Sequence, residues 1–156
     1  MVEQESRKRA RALLKKLALG KATNYECENE FMDLLSYSKD PVIFAFFRTI
    51  RELSGDAEER LSNMFSRGGQ MRKRLCRWIL FLETDLEYEW PKQRLAPGLR
   101  DFYRPNWFDE FLGIEAHTNA AFCGLGEYDV WPFFREADLY TAKAACAQRK
   151  NSHERH

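Results

Sequence analysis

The stretch Met71-Arg72-Lys73-Arg74-Leu75-Cys76-Arg77-Trp78-Ile79-Leu80-Phe81-Leu82-Glu83-Thr84-Asp85-Leu86 decides the fold class. Met71, Leu75, Trp78, Ile79, Leu82 and Leu86 recur at the 3.6-residue spacing of one helical face, and Leu80 and Phe81 add apolar surface off that face. A helix over 71–86 with so apolar a middle needs neighbours on nearly every side. It predicts a central buried helix in an all-α domain.

Upstream, the sequence supplies those neighbours. Over residues 3–19, Ala10, Leu13, Leu14 and Leu17 share one face, Arg7, Lys8, Arg11 and Lys15 lie mostly on the other, and Gly20 closes the helix as a C′ residue. Thr23 followed by Glu26 reads as a capping box, opening a second helix that carries Cys27, Phe31, Leu34 and Leu35 inward. Asp40-Pro41 starts a third, in which Val42, Ile43, Phe46, Phe47, Ile50 and Leu53 keep helical spacing until Ser54-Gly55. A short helix over 56–65 would bring Leu61, Met64 and Phe65 inward before the Gly68-Gly69 break.

Downstream, Pro91, Pro97, Gly98 and Pro105 punctuate a loop-rich stretch, with helices expected at 108–114 and 135–149. Ten of the 34 residues from 101 to 134 are aromatic, enough for an irregular region to pack down. The expectation is a single compact domain of about five to seven helices over 1–150, an aromatic-rich irregular second half, and a polar disordered tail at 151–156. A chain of 156 residues has room for one core.

Composition excludes several classes. With 44% hydrophobic and 31% charged residues, the chain is neither collagen-like nor low-complexity. Its longest apolar run, Trp78 to Leu82, is far short of the roughly 20 residues that span a bilayer. The apolar stretch from Leu13 to Leu19 is broken by Lys15 and Lys16, so no secretory signal is expected. Cys27, Cys76, Cys123 and Cys146 are scattered, which reads as reduced thiols in a cytoplasm.

The formal net charge of +1 hides a partition: residues 1–82 carry +5, residues 83–138 carry −7, and the remainder +3. On the central helix the gradient opposes the macrodipole, with Arg72, Lys73, Arg74 and Arg77 near its start and Glu83, Asp85, Glu87 and Glu89 at or past its end. One explanation is internal pairing. The basic first helix would lie beside the acidic end, and Arg72 to Arg77 beside Glu26, Glu28 and Glu30 or Asp56, Glu58 and Glu59. The other is an edge offered to a basic partner, in which Glu83, Asp85, Glu87 and Glu89 steer association and Tyr88 and Trp90 act as anchors. Glu127-Tyr128-Asp129-Val130-Trp131-Pro132 echoes Glu87-Tyr88-Glu89-Trp90-Pro91, and Asp129 and Trp131 join the candidate partner-binding set.

Arg77-Trp78-Ile79-Leu80-Phe81-Leu82-Glu83-Thr84-Asp85-Leu86-Glu87-Tyr88-Glu89-Trp90-Pro91, with Thr23-Asn24-Tyr25-Glu26 before it, resembles a segment recurring in small uncharacterised bacterial proteins. The resemblance covers about a fifth of the chain. It implies a bacterial cytoplasmic origin and carries over no catalytic residue. Small proteins of this kind include immunity proteins encoded beside toxins.

Motifs for chemistry are sparse. Gly124-Leu125-Gly126 lacks the strand a phosphate loop needs, and His153 with His156 lacks a third ligand. His117 and Cys123 form no recognisable nucleophile pair. The pairs Glu83/Glu87 and Asp85/Glu89 are one turn apart if the helix continues, and Asp129 is placed to cap the last helix with Pro132 just inside it. The leading expectation is therefore a non-enzymatic binding protein, such as an immunity protein that occludes a cationic toxin site, needing no cofactor and no metal. The alternatives are a small enzyme using carboxylates of 83–138 with His117, and a nucleic-acid accessory protein using the basic first helix. The balanced charge and absent RNA platform disfavour the last; the oligomeric state is left open.

Overall fold

The chain reverses after α1 (Gln4–Ala18) through Gly20, at φ 64, a left-handed position that glycine enters without a Cβ penalty. The Gly20 amide donates to the Leu17 carbonyl and the Lys21 amide to that of Lys16, the paired bonds of a Schellman motif. In this computed structural model, residues 1–53, 69–90 and 125–153 are described. Every regular element among them is helical, and the protein is an all-α domain.

The expected start signals operate. Thr23 caps α2 (Asn24–Tyr37) through a complete capping box, its hydroxyl accepting from the Glu26 amide while the Glu26 carboxylate accepts from the Thr23 amide. Pro41 is the first residue of α3 (Pro41–Leu53), and the Asp40 carboxylate accepts from the amide of Val42, the second helical residue. α2 packs on α1 and α3, α1 on α4 (Gly69–Phe81), and α4 on α5 (Glu136–His153).

Four of these helices meet in an aromatic centre. Phe46 of α3 stacks on Trp78 of α4 with ring centroids 5.2 Å apart, and Trp131 stands edge-on to both at 5.5 and 5.3 Å. Phe31, Leu14, Leu17, Leu34, Ile43 and Ile50 are fully buried around them. α5 contributes Leu139 and Ala142.

Three boundaries differ from expectation. α4 ends at Phe81 rather than running to Leu86, because the Glu83 and Thr84 amides turn to the carbonyls of Leu80 and Phe81, closing a tight turn, and the Thr84 hydroxyl donates to the Phe81 carbonyl. Pro132 lies in the loop before α5, not inside it, and the Glu136 amide is capped by the Glu127 carboxylate instead of Asp129. Asp129 instead belongs to a short 3-10 turn, Tyr128–Val130. α5 runs to His153, so its helix takes the first residues of the segment expected to be a polar tail. The helices expected at 56–65 and 108–114 fall outside the described residues, as do His117 and Cys123.

Candidate functional site

Arg7 organises the junction at which the charge changes sign. Read as part of the solvated basic face, it is instead fully buried. Its Nε donates to Asp40 Oδ2 at 2.6 Å, its Nη2 to Oδ1 at 3.4 Å, and its Nη1 to the Thr84 carbonyl at 2.9 Å. The guanidinium also lies over the Phe81 ring, 5.3 Å from its centroid. Asp40 accepts further from the amides of Glu3 and Val42. One arginine thus ties α1, the start of α3 and the end of α4. The signal was available: Arg7 precedes Ala10 by three residues and Leu14 by seven, the spacing of the apolar stripe itself.

Glu83 follows at the end of α4, and it is not an outward-facing contact residue. Its Oε1 lies 3.3 Å from Arg11 and 3.8 Å from Lys15, and its Oε2 3.8 Å from Arg149 of α5. The basic first helix does lie beside the acidic end, as internal pairing requires. Of the acids expected beside Arg72 to Arg77, Glu28 pairs with Arg51, Glu30 with Lys16 and Glu26 with the Thr23 amide, while Asp56, Glu58 and Glu59 lie outside the described residues. The end of α4 also takes Glu83/Glu87 and Asp85/Glu89 off a common helical face, removing the reading of either as a carboxylate pair one turn apart.

Leu86 is exposed between Asp85 and Glu87, and from Glu87 to Trp90 the side chains alternate. Asp85, Glu87 and Glu89 are exposed, whereas Tyr88 is half-buried and Trp90 belongs to the core. Successive residues of an extended chain point to opposite sides, which places Glu87 and Glu89 outward when Tyr88 and Trp90 turn in. Asp85 accepts from the Gln4 side chain, Glu87 lies 3.5 Å from the Met1 amine, and Glu89 lies 3.5 Å from Arg135.

The two echoing segments cross here. Trp131 Nε1 donates to the Tyr88 hydroxyl at 3.0 Å, and Trp90 stands edge-on to Tyr128 with centroids 6.3 Å apart. Tryptophan of each copy thus meets tyrosine of the other. Trp90 Nε1 donates to the Phe133 carbonyl, and its ring meets Phe134 at 5.1 Å. Gly126 lets Phe134 approach this closely, because a Cβ there would lie 3.0 Å from the ring. Trp90, expected as an anchor, and Trp131, of the candidate partner-binding set, are 3% and 4% exposed. Aromatic rings that bury on the order of 150–250 Å² each favour the core over a surface in the free protein. Burial pushes the Tyr88 phenol above its ordinary 10.0, against the lowering by the Trp131 hydrogen bond.

Asp129 is exposed, and its backbone carbonyl accepts from Arg77. Burial lowers the guanidinium groups of Arg74 and Arg77, and the Asp129 charge opposes that lowering. Glu83, Asp85 and Asp129 therefore each have different partners, on α1 and α5, at the start of α1, and beside α4. Among the described residues no group of three or more His, Cys, Asp or Glu side chains could hold a metal. Cys27, Cys76 and Cys146 are free, and burial raises the Cys27 thiol to about 12. No helix among the described residues is long and apolar enough to cross a membrane. Set against protein-family models, curated proteins and solved structures, this chain matches none of them.

Proposed function

We propose that the chain is a non-enzymatic binding protein that offers an acidic rim to a cationic protein surface, as a bacterial immunity protein does to a toxin in the cytoplasm. The rim consists of Asp85, Glu87, Glu89 and Asp129. Tyr88, Trp90 and Trp131 act beneath it as a scaffold. The observation that carries the reading is the alternation at 87–90, which holds Glu87 and Glu89 outward on a segment fixed by half-buried Tyr88 and buried Trp90. A rim prepared in this way loses little conformational freedom on binding, and its charge accelerates encounter with an opposite field.

The test is the association rate with the basic product of a gene adjacent to the chain's own, measured by stopped flow at low and high salt. Glu87→Lys with Glu89→Lys is expected to slow association about tenfold or more at low salt, with a helical CD spectrum unchanged. An unchanged rate, or loss of the fold in the double variant, overturns the reading.

A further inference from the structure

Three cations converge on one carboxylate at the end of α4, and they are not neutralised by it. Arg11 and Lys15 reach Glu83 from α1 and Arg149 reaches it from α5. The carboxylate is 16% exposed, whereas the side chains of Arg11, Lys15 and Arg149 are 30%, 53% and 54% exposed. Glu83 holds the inner side of the cluster, and the cationic heads open outward. Lys8, one turn before Arg11, is exposed as well. The C-terminal dipole of α4 adds only about half a negative charge.

We propose that Arg11, Lys15 and Arg149, assembled on Glu83, form a binding site for a compact polyanion of the polyphosphate class. The ligand has to carry at least two negative charges, because two positive charges are left over once Glu83 is counted. It has to be compact, because the three heads converge on the two oxygens of one side chain. Arginine forks from two helices match the oxygens of adjacent phosphate groups, and Lys15 adds a point charge between them. Glu83 has two opposed effects: it aligns the cations when the site is empty, and it repels the ligand that occupies it. The site uses none of the exposed carboxylates of the acidic rim, so the two readings stand or fall separately.

That opposition makes the test specific. Titration of the full chain with sodium tripolyphosphate, followed by calorimetry at low ionic strength, is expected to give saturable one-to-one binding. Arg149→Ala and Lys15→Ala are each expected to weaken it about tenfold, and Glu83→Gln to tighten it severalfold by removing the internal competitor. Lys73→Ala, an exposed cation near the other end of α4, is expected to leave it unchanged. A cluster with only a structural role would make Glu83→Gln less stable with no gain in affinity. Absence of saturable binding, no tightening in a folded Glu83→Gln variant, or equal weakening by Lys73→Ala overturns the proposal. If Glu83→Gln loses its helical CD spectrum, the contrast between Arg149→Ala and Lys73→Ala decides it alone.

Discussion

Arg7 and Arg11 stand one turn apart on the same helix, and both reach the end of α4, yet they live in opposite electrostatic settings. Arg7 is sealed from solvent and meets a single carboxylate, Asp40, whose oxygens also take two backbone amides. Arg11 shares the less buried Glu83 with Lys15 and Arg149. The difference teaches that charge type and spacing do not set the energetic weight of an ion pair. Burial does, because removing one partner strands the other only where water cannot reach it.

The largest effect is therefore expected at the buried pair. Arg7→Met leaves the Asp40 carboxylate uncompensated in the core and should lower the unfolding free energy by about 3–5 kcal/mol in urea titration. Arg7→Met combined with Asp40→Asn should lose clearly less than the sum of the two single changes, since no buried charge is then stranded. A loss below about 1 kcal/mol for either single variant would put Arg7 in the same class as Arg11.

The aromatic crossing falls between the two. Tyr88→Phe removes the acceptor of Trp131 Nε1 and should destabilise by about 1–3 kcal/mol, the range for a buried donor left unsatisfied. Glu87→Gln and Glu89→Gln, on the outward side of the same segment, should stay within about 0.5 kcal/mol. Equal effects on the two sets would contradict the alternation on which the acidic rim depends.

Titration separates buried from exposed groups in another way. Cys27 has an ordinary value of 9.0 and is raised by burial to about 12, and Tyr88 is raised from 10.0. Both are neutral when protonated, so the unfolded chain loses these protons first. Their contribution to stability is whole below about pH 9 and declines as pH rises from there toward 12. Glu3 and Glu26 act at the other end. Hydrogen bonds from Ser38 and the Lys39 amide lower Glu3, and those from Thr23 lower Glu26, so their contribution is present above 4.5 and lost as pH falls below it. Urea midpoints across pH should decline on both sides, and Cys27→Val should delay the alkaline decline. An alkaline limb that Cys27→Val leaves unaltered would remove the thiol from this account.

What the sequence made legible followed from local rules. The Thr23 capping box, the Asp40-Pro41 start and the Gly20 reversal depend on residues within a turn of one another, and each forms as its pattern predicts. The end of α4 was not legible, because Leu82 and Leu86 continue the apolar stripe. The Thr84 carbonyl is taken by Arg7, 77 residues away, and Trp90 is drawn toward residues beyond 125. The same long-range packing turned expected surface anchors into core. The echo between 87–91 and 127–132 was visible as a pattern, but only the tertiary fold brings its two copies into contact.

A small effect is expected at Arg11 too, and it tests the comparison most sharply. Arg11→Gln leaves Glu83 with Lys15 and Arg149, and water still reaches the cluster, so the loss should be under about 1 kcal/mol. Because the cluster is partly exposed, that difference should shrink further in 0.5 M NaCl, where screening shortens the reach of each charge. The loss in Arg7→Met should persist in the same salt, since ions do not enter the core. If the Arg11→Gln loss matches that of Arg7→Met and resists salt, the cluster is a second buried clamp whose cations are committed to Glu83. Their heads would then be held inward on that carboxylate, out of reach of a polyanion. A small, salt-sensitive loss leaves the three cations free to exchange one carboxylate for a stronger anion.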